Sequence, residues 1–461
     1  MKKNTFLFLA CICCSYVLVT FNFGCAQISA PTGGPRDTLP PRLVRANPGM
    51  NSINVTGNKM SLTFDEYIDI QDIQTNLLVS PVQKTNPLIV NNLKSVSIKF
   101  RDTLLPNTTY SINFGSSLRD YHEGNVLENF TYVFSTGPTI DSLTMQGKVL
   151  LAESGKPDST IVAMLHRDTN DTAVVKKRPD YIAKVDGKGN FKFRNLPAGT
   201  YKLYALKDGD GGKTYNSKTE LFAFMDTTVT VSKDTMPATL FAYTEQKSTD
   251  NKPEPKSAPE KRLRYTANLT ADLQDLLQPL ELSFNNPLKK FDIQKAQLTD
   301  TNYRPLNNYT ISLDSTHRKV FVKTTWVPET PYRLLIQKDA VEDSTGLSFL
   351  RSDTLRFTTK GNGDYGRIVL RFTNIDLSKH PVIQFFDADK LRFSYPITST
   401  EWSNKLFPPG DYFIRILYDL DNNGVWDPGN YSKKIQPEIA TELSQKLSIR
   451  ADWDNEREIR L

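Results

Sequence analysis

Lys184-Val-Asp-Gly-Lys-Gly-Asn-Phe-Lys-Phe-Arg-Asn-Leu-Pro-Ala-Gly199-Thr-Tyr-Lys-Leu203 carries the pattern that repeats most clearly along this chain. Apolar residues alternate in Phe191-Lys-Phe193 and again in Tyr201-Lys-Leu203, with Gly/Asp and Pro-x-Gly clusters breaking the chain around them. Period 2 interrupted by such turns specifies short antiparallel strands, each burying one face. The second half of the stretch recurs. Leu196-Pro-Ala-Gly199-Thr-Tyr201-Lys-Leu-Tyr-Ala-Leu-Lys-Asp208 aligns without a gap on Phe407-Pro-Pro-Gly410-Asp-Tyr412-Phe-Ile-Arg-Ile-Leu-Tyr-Asp419, 211 residues on. In each copy the glycine permits the tight corner and the tyrosine opens a buried face.

A second pattern is interleaved with the first. Lys59–Phe64, Ser95–Phe100, Thr109–Phe114 and Phe130–Phe134 alternate between turns rich in Asn, Pro, Asp and Gly. Leu62-Thr-Phe64-Asp-Glu66 is answered by Leu282-Ser-Phe284-Asn-Asn286, and Pro106-Asn-Thr-Thr-Tyr110 by Pro328-Glu-Thr-Pro-Tyr332, 222 residues on. Gly346 answers Gly124 at the same offset, with Leu347 where Asn125 stands. The chain therefore reads A-B-A′-B′, over 40–137, 140–244, 264–360 and 364–461. Glu245–Arg262, with mixed charge, three prolines and Ala258 as its one aliphatic residue, reads as an exposed linker. With 461 residues, three or four domains of about 100–150 residues are expected.

The A pattern goes beyond periodicity. Asn47-Pro-Gly-Met-Asn-Ser-Ile-Asn-Val55, Leu62–Asp69, Leu104–Phe114, Asp120-Tyr-His-Glu-Gly124-Asn125 and Tyr132-Val-Phe-Ser-Thr-Gly137 together resemble the bacterial Ig-like domain of S-layer type. The stretch 264–360 resembles it more distantly. The B pattern resembles the transthyretin-like or carboxypeptidase-regulatory-like β-sandwich. These resemblances imply an all-β chain of tandem antiparallel β-sandwiches, Ig-like and transthyretin-like in alternation.

The first residues read as an address. Lys2 and Lys3 precede Phe6–Phe21, a 16-residue apolar stretch, short for a membrane span and right for a secretory leader over 1–24. Gly24-Cys25 resembles the end of a bacterial lipobox, with Asn22 where the pattern has leucine. That resemblance implies lipidation at Cys25. Cleavage after Ala26 stands as the alternative, since Gly24-Cys25-Ala26 is small-x-small. Residues 25–39, rich in Pro and Gly, suit a tether.

Composition excludes much chemistry. Cys11, Cys13, Cys14 and Cys25 are the only cysteines, so the body has no disulfide framework, cysteine metal site or cysteine nucleophile. His122, His166, His317 and His380 fall about one per module. The net charge is +6, or +4 without Lys2 and Lys3, with no basic block to track phosphates, so nucleic acid is not an expected partner. No Gly-x-Ser-x-Gly, P-loop, His-Glu-x-x-His or dinucleotide fingerprint is present. Asp65, Glu66, Asp69 and Asp72 read as solvated carboxylates at a strand end rather than a glycosidase pair, and Ser116-Ser117 near His122 as a turn.

Two patterns stand out against this background. The first is aromatic: Tyr412, Phe413, Tyr418, Trp426 and Tyr431 supply either core rings or a strip that stacks on sugars. The second is Asp419-Leu-Asp421-Asn-Asn423-Gly424-Val-Trp-Asp427. It places oxygen side chains at positions 1, 3, 5 and 9, with glycine at 6, as in a calcium loop. Asp419, Asp421, Asn423 and Asp427 are thus candidate Ca²⁺ ligands. Asn430 stands where a closing acidic residue is wanted, and Asp208-Gly-Asp210-Gly-Gly212 to Asn216 is a weaker copy. As a whole the sequence resembles envelope lipoproteins of Gram-negative bacteria. It implies a protein secreted across the inner membrane, anchored to the outer membrane by lipid and non-enzymatic. Its expected role is that of a spacer, a display scaffold or a protein-binding module, with envelope proteins or glycans as partners. The alternative is a carbohydrate-binding accessory of a polysaccharide uptake system.

Overall fold

The computed structural model describes residues 36–246 and 262–461. The leader, Cys25, most of the tether and most of the linker lie outside the described residues. The chain divides into two compact units, one ending at Asp141 and the other running from Ser142 to Leu461. Strands make up 46% of the described residues and helix 4%, which makes the fold all-β. Among the described residues no helix is long and apolar enough to cross a membrane.

The first unit is built on the alternation seen in the sequence. Leu43–Asn47, Lys59–Phe64, Ser95–Lys99 and Leu88–Asn92 form one sheet in that spatial order. Leu78–Ser80, Thr109–Asn113 and Thr131–Ser135 form a second, and Ile68–Ile70 pairs with Leu118–Asp120. Met60 pairs across from Ile98 and Leu62 from Val96, so all four point inward to meet Tyr110, Ile112 and Phe134. Burying each such side chain contributes about 1.5–3 kcal/mol. A one-residue slip would turn the whole row toward water, which fixes the register.

In the second unit the strands fall into three groups, which with the first unit as group one are the second, third and fourth groups of the chain. The second and fourth share one topology. In the second, Leu143–Leu151 lies between Asn190–Leu196 and Ala238–Ala242. Opposite it, Tyr181–Lys184, Val162–His166, Gly199–Leu206 and Phe222–Phe224 follow in order. In the last group Gly366–Thr373 lies between Glu401–Phe407 and Asp454–Arg460, opposite Lys390–Pro396, Pro381–Asp387, Gly410–Tyr418 and Ile439–Glu442. Antiparallel pairing dominates, but in both of these groups the opening and closing strands run parallel. Period 2 carries no direction, so the sequence pattern does not reveal this. At Gly147 a Cβ would fall 2.2 Å from the Ala238 carbonyl oxygen, so only glycine lets these two strands meet there. The middle group stacks Tyr265–Ala267, Leu280–Phe284, Lys319–Thr324 and Tyr309–Leu313 in one sheet. Its second sheet holds Leu273–Gln274, Asp353–Thr359, Pro331–Ile336 and Ala296–Thr299.

The repeated corners share their hydrogen bonds as well as their letters. The Tyr110 hydroxyl accepts from the Leu105 amide at 2.7 Å, and the Tyr332 hydroxyl from the Val327 amide at 3.4 Å. Tyr201 and Tyr412 donate to the carbonyls of Pro197 and Pro408, at 3.0 and 3.2 Å. Asp120 caps its turn by accepting from the amides of Glu123, Gly124 and Asn125. Asp343 plays that part in the second A-type turn, accepting from Thr345 and Leu347.

Candidate functional site

The loop after Gly410–Tyr418 closes on itself through carboxylates. Asp419, 2% exposed, accepts from the Asn423 amide at 3.2 Å and the Gly424 amide at 2.7 Å. The positive φ of Gly424, 77°, lets the backbone turn those amides inward. Glu438, 5% exposed, accepts from the Leu420 amide at 2.6 Å and the Asp427 amide at 3.0 Å. The Glu438 amide donates back to the Asp427 carbonyl, and the Trp426 indole donates to the Glu438 carbonyl at 2.7 Å.

These bonds bring one carboxylate oxygen each of Asp419, Asp421 and Glu438 within 4.8 Å of one another. Asn423 and Asp427 belong to the rim: the Asn423 amide nitrogen donates to Asp421 at 3.1 Å and to Asp427 at 2.5 Å. Burial, with the charges of Asp419 and Asp427 beside it, pushes the Glu438 carboxyl above its ordinary range. The donor set is all oxygen and hard, which fits a cation such as Ca²⁺. Glu438 supplies the acidic group absent at Asn430. Spacing within the loop gave no sign of it. The available signal was a lone glutamate between Pro437 and the apolar start of a strand at Ile439.

The second strand group holds a counterpart. Asp208, Asp210 and Glu220 bring carboxylate oxygens within the same reach. Asn216 donates to Asp210 at 2.7 Å, and that bond leads the causes that hold the Asp210 carboxyl below its usual range. One Asp208 oxygen is buried with no hydrogen-bond partner. A third cluster, Glu66, Asp120 and Glu123, gathers at the turn of the first unit. The other acids there are not an isolated pair: Asp65 binds Arg42 at 3.2 Å, and Asp69 accepts from Gln71. Ser117 is buried, whereas His122 is exposed and lies edge-on to the rings of Tyr67 and Tyr121.

The aromatic residues divide. Tyr412 and Tyr431 are buried, while Tyr418, Phe413 and Trp426 are half-buried. Tyr431 leaves its own group altogether. It inserts among Tyr204, Tyr215, Phe222 and Phe224, with ring centroids 5.1–6.2 Å away. Its hydroxyl donates to the Asp171 carbonyl at 2.7 Å and so accepts from the Tyr204 hydroxyl at 3.1 Å. Its amide donates to the Glu245 carboxylate at 3.0 Å. At Gly429 a Cβ would fall 2.6 Å from the Tyr243 ring, so the arm carrying Tyr431 needs glycine to pass.

Main-chain pairing continues this seam. The amides of Ala440 and Glu442 donate to the carbonyls of Ala152 and Ser154, at 2.8 and 3.0 Å. Lys156 binds Glu442 at 2.7 Å. Arg415, 9% exposed, binds the Glu153 carboxylate at 3.3 Å and the Gln384 side chain at 2.8 Å. The second and fourth groups of the chain are thus joined directly, although the third lies between them in sequence. The third is tied to the fourth by the Leu276 amide, which donates to the Tyr365 hydroxyl at 2.7 Å.

Residues 37–136 match the family model described as the bacterial Ig-like domain. No curated protein matches the chain. Among solved structures, the chain is similar to the Bacillus anthracis TIE protein, at 10% identity over 93% of this chain and 76% of that one, with a TM-score of 0.17. It is similar to the S-layer protein SbsC at 13% identity over 91% of this chain, spanning about half (54%) of that protein, with a TM-score of 0.17. It is also similar to BcpA, the major pilin subunit of Bacillus cereus, at 12% identity over 70% and 99% of the two chains, with a TM-score of 0.16. Superpositions this loose carry no argument about function.

Proposed function

We propose that the protein is a non-enzymatic structural component of the cell envelope, a spacer or display scaffold held at the outer membrane by lipid on Cys25. The observation that carries the reading is the seam. Main-chain pairing, a buried tyrosine and two ion pairs join the two B-pattern modules within the unit Ser142–Leu461, which suits a spacer. The Ig-like match over residues 37–136 supports it. The acidic clusters are tied up by backbone amides in turns rather than set against a nucleophile or base, which supports a role outside catalysis. Fractionation tests the anchor. Wild type partitions with outer membranes and Cys25→Ala is released or fails to mature; soluble wild type beginning at Gln27 would sink the lipid anchor.

We further propose that Ca²⁺ binds Asp419, Asp421 and Glu438, with Asn423 and Asp427 at the rim. Its part is structural: it neutralises buried carboxylates at the root of the arm that carries Tyr431.

A further inference from the structure

Between the second and fourth strand groups lies a cleft of about 570 Å³, inside the size range of small-molecule sites. We propose that this cleft binds a short neutral glycan, with sugar rings stacked on the Phe386–Phe413 pair and on Trp426 and hydroxyls held by the Arg415–Glu153 ion pair. The proposal goes beyond the structural reading.

The floor of the cleft is the outer face of one sheet. Phe386 pairs with Phe413 across neighbouring strands, as do Gln384 with Arg415 and Val382 with Leu417. Side chains two apart on a strand share a face, so these three pairs form one row. Trp426 packs on Val382 and Leu417 at one end, and Phe386 and Phe413 stand at the other. Four residues of strand separate Val382 from Phe386, which sets the aromatic platforms roughly 13 Å apart. The three rings are half-buried and line the cleft. Between the platforms the Arg415 guanidinium lies 4.5 Å from the Phe386 ring centroid and binds Glu153 from the opposite wall.

This lining selects its occupant. Arg415 with Glu153, and Lys156 with Glu442, present donors and acceptors in fixed positions with their charges already paired. Asp389 adds a third carboxylate and Lys446, whose ammonium lies over the Phe413 ring at 4.6 Å from its centroid, a third cation, so the charges balance and the cleft favours a neutral occupant. Six charged groups reject an acyl chain. A peptide strand would need a free sheet edge, but the edge at Ile439–Glu442 is already taken by the carbonyls of Ala152 and Ser154. Flat apolar rings flanked by paired donors and acceptors match a neutral sugar, which has apolar ring faces and hydroxyls at its rim.

The test uses the full chain and a panel of maltohexaose, cellohexaose, xylohexaose and chitohexaose, read by saturation-transfer NMR and calorimetry. At least one sugar binds at millimolar concentration. Phe386→Leu and Phe413→Leu, which keep apolar bulk but lose the ring, each weaken it about tenfold while the melting temperature holds. Trp453→Leu, an exposed ring outside the cleft, changes nothing. The proposal is overturned if no sugar of the panel binds, if binding survives both leucine variants, or if those variants abolish binding of a random peptide library instead.

Discussion

His166 is buried to 1% exposure, its Nε2 has no hydrogen-bond partner, and its ring meets Tyr204 edge-on at 5.5 Å. Burial holds its pKa below the ordinary 6.5, against the opposing pull of Asp180 and Asp168. The neutral ring belongs to the folded state, whereas the unfolded chain takes up the proton as pH falls past 6.5. Stability of the unit Ser142–Leu461 is therefore full above that pH and falls as pH drops from 6.5 toward the lower folded value. Calorimetry between neutral and mildly acidic pH will show the melting temperature declining, and His166→Phe will flatten that decline. An unchanged slope in the variant would assign the acid sensitivity to other groups. Single residues were unevenly legible. The tyrosines of the corners stood out because their hydroxyls bond within a few residues in sequence. His166 did not, because its surroundings come from strands far apart in the chain.

At the scale of elements, the arm from Asp427 to Glu438 joins the carboxylate loop to the seam. Its root is fastened by Glu438 to the amides of Leu420 and Asp427, and its tip is Tyr431 among four rings of the second group. Removing a buried aromatic side chain costs about 3–5 kcal/mol. Tyr431→Ala will lower the melting temperature of the unit by several degrees, while Tyr431→Phe, which keeps the ring and loses its hydroxyl bonds, will cost about 1 kcal/mol. Equal losses would mean that the hydroxyl, not the ring, holds the seam. Calcium acts at the root. Millimolar Ca²⁺ will raise the melting temperature by mass action and shift Trp426 fluorescence, and Asp421→Ala or Glu438→Gln will abolish both. No response of either signal in wild type would leave the loop a plain turn. The strands themselves were legible because one buried face imprints period 2. The arm was not, because Asn430–Gln436 has no periodicity and its anchors lie more than 180 residues away, as in the Tyr431–Glu245 bond.

For the whole molecule, the A-B-A′-B′ order is plain in the sequence, but order along the chain says nothing of which copies touch. Interleaved repeats suggest beads on a string, whereas the unit Ser142–Leu461 packs its second-group and fourth-group copies of the B pattern together and carries the A′ pattern between them. Sequence similarity between the B copies lies in their shared corner and strands. The contacts that weld them come from what differs, Tyr431 and Arg415 on one side and Glu245, Asp171 and Glu153 on the other. A spacer made this way stays one body even when the chain between its parts is cut. The direct measurement is to co-express residues 142–246 and 262–461 as separate chains and to follow them by gel filtration and light scattering. The two will elute as one 1:1 complex, and Tyr431→Ala combined with Arg415→Ala will separate them into folded pieces. Two independent folded species from the wild-type pair would contradict the account.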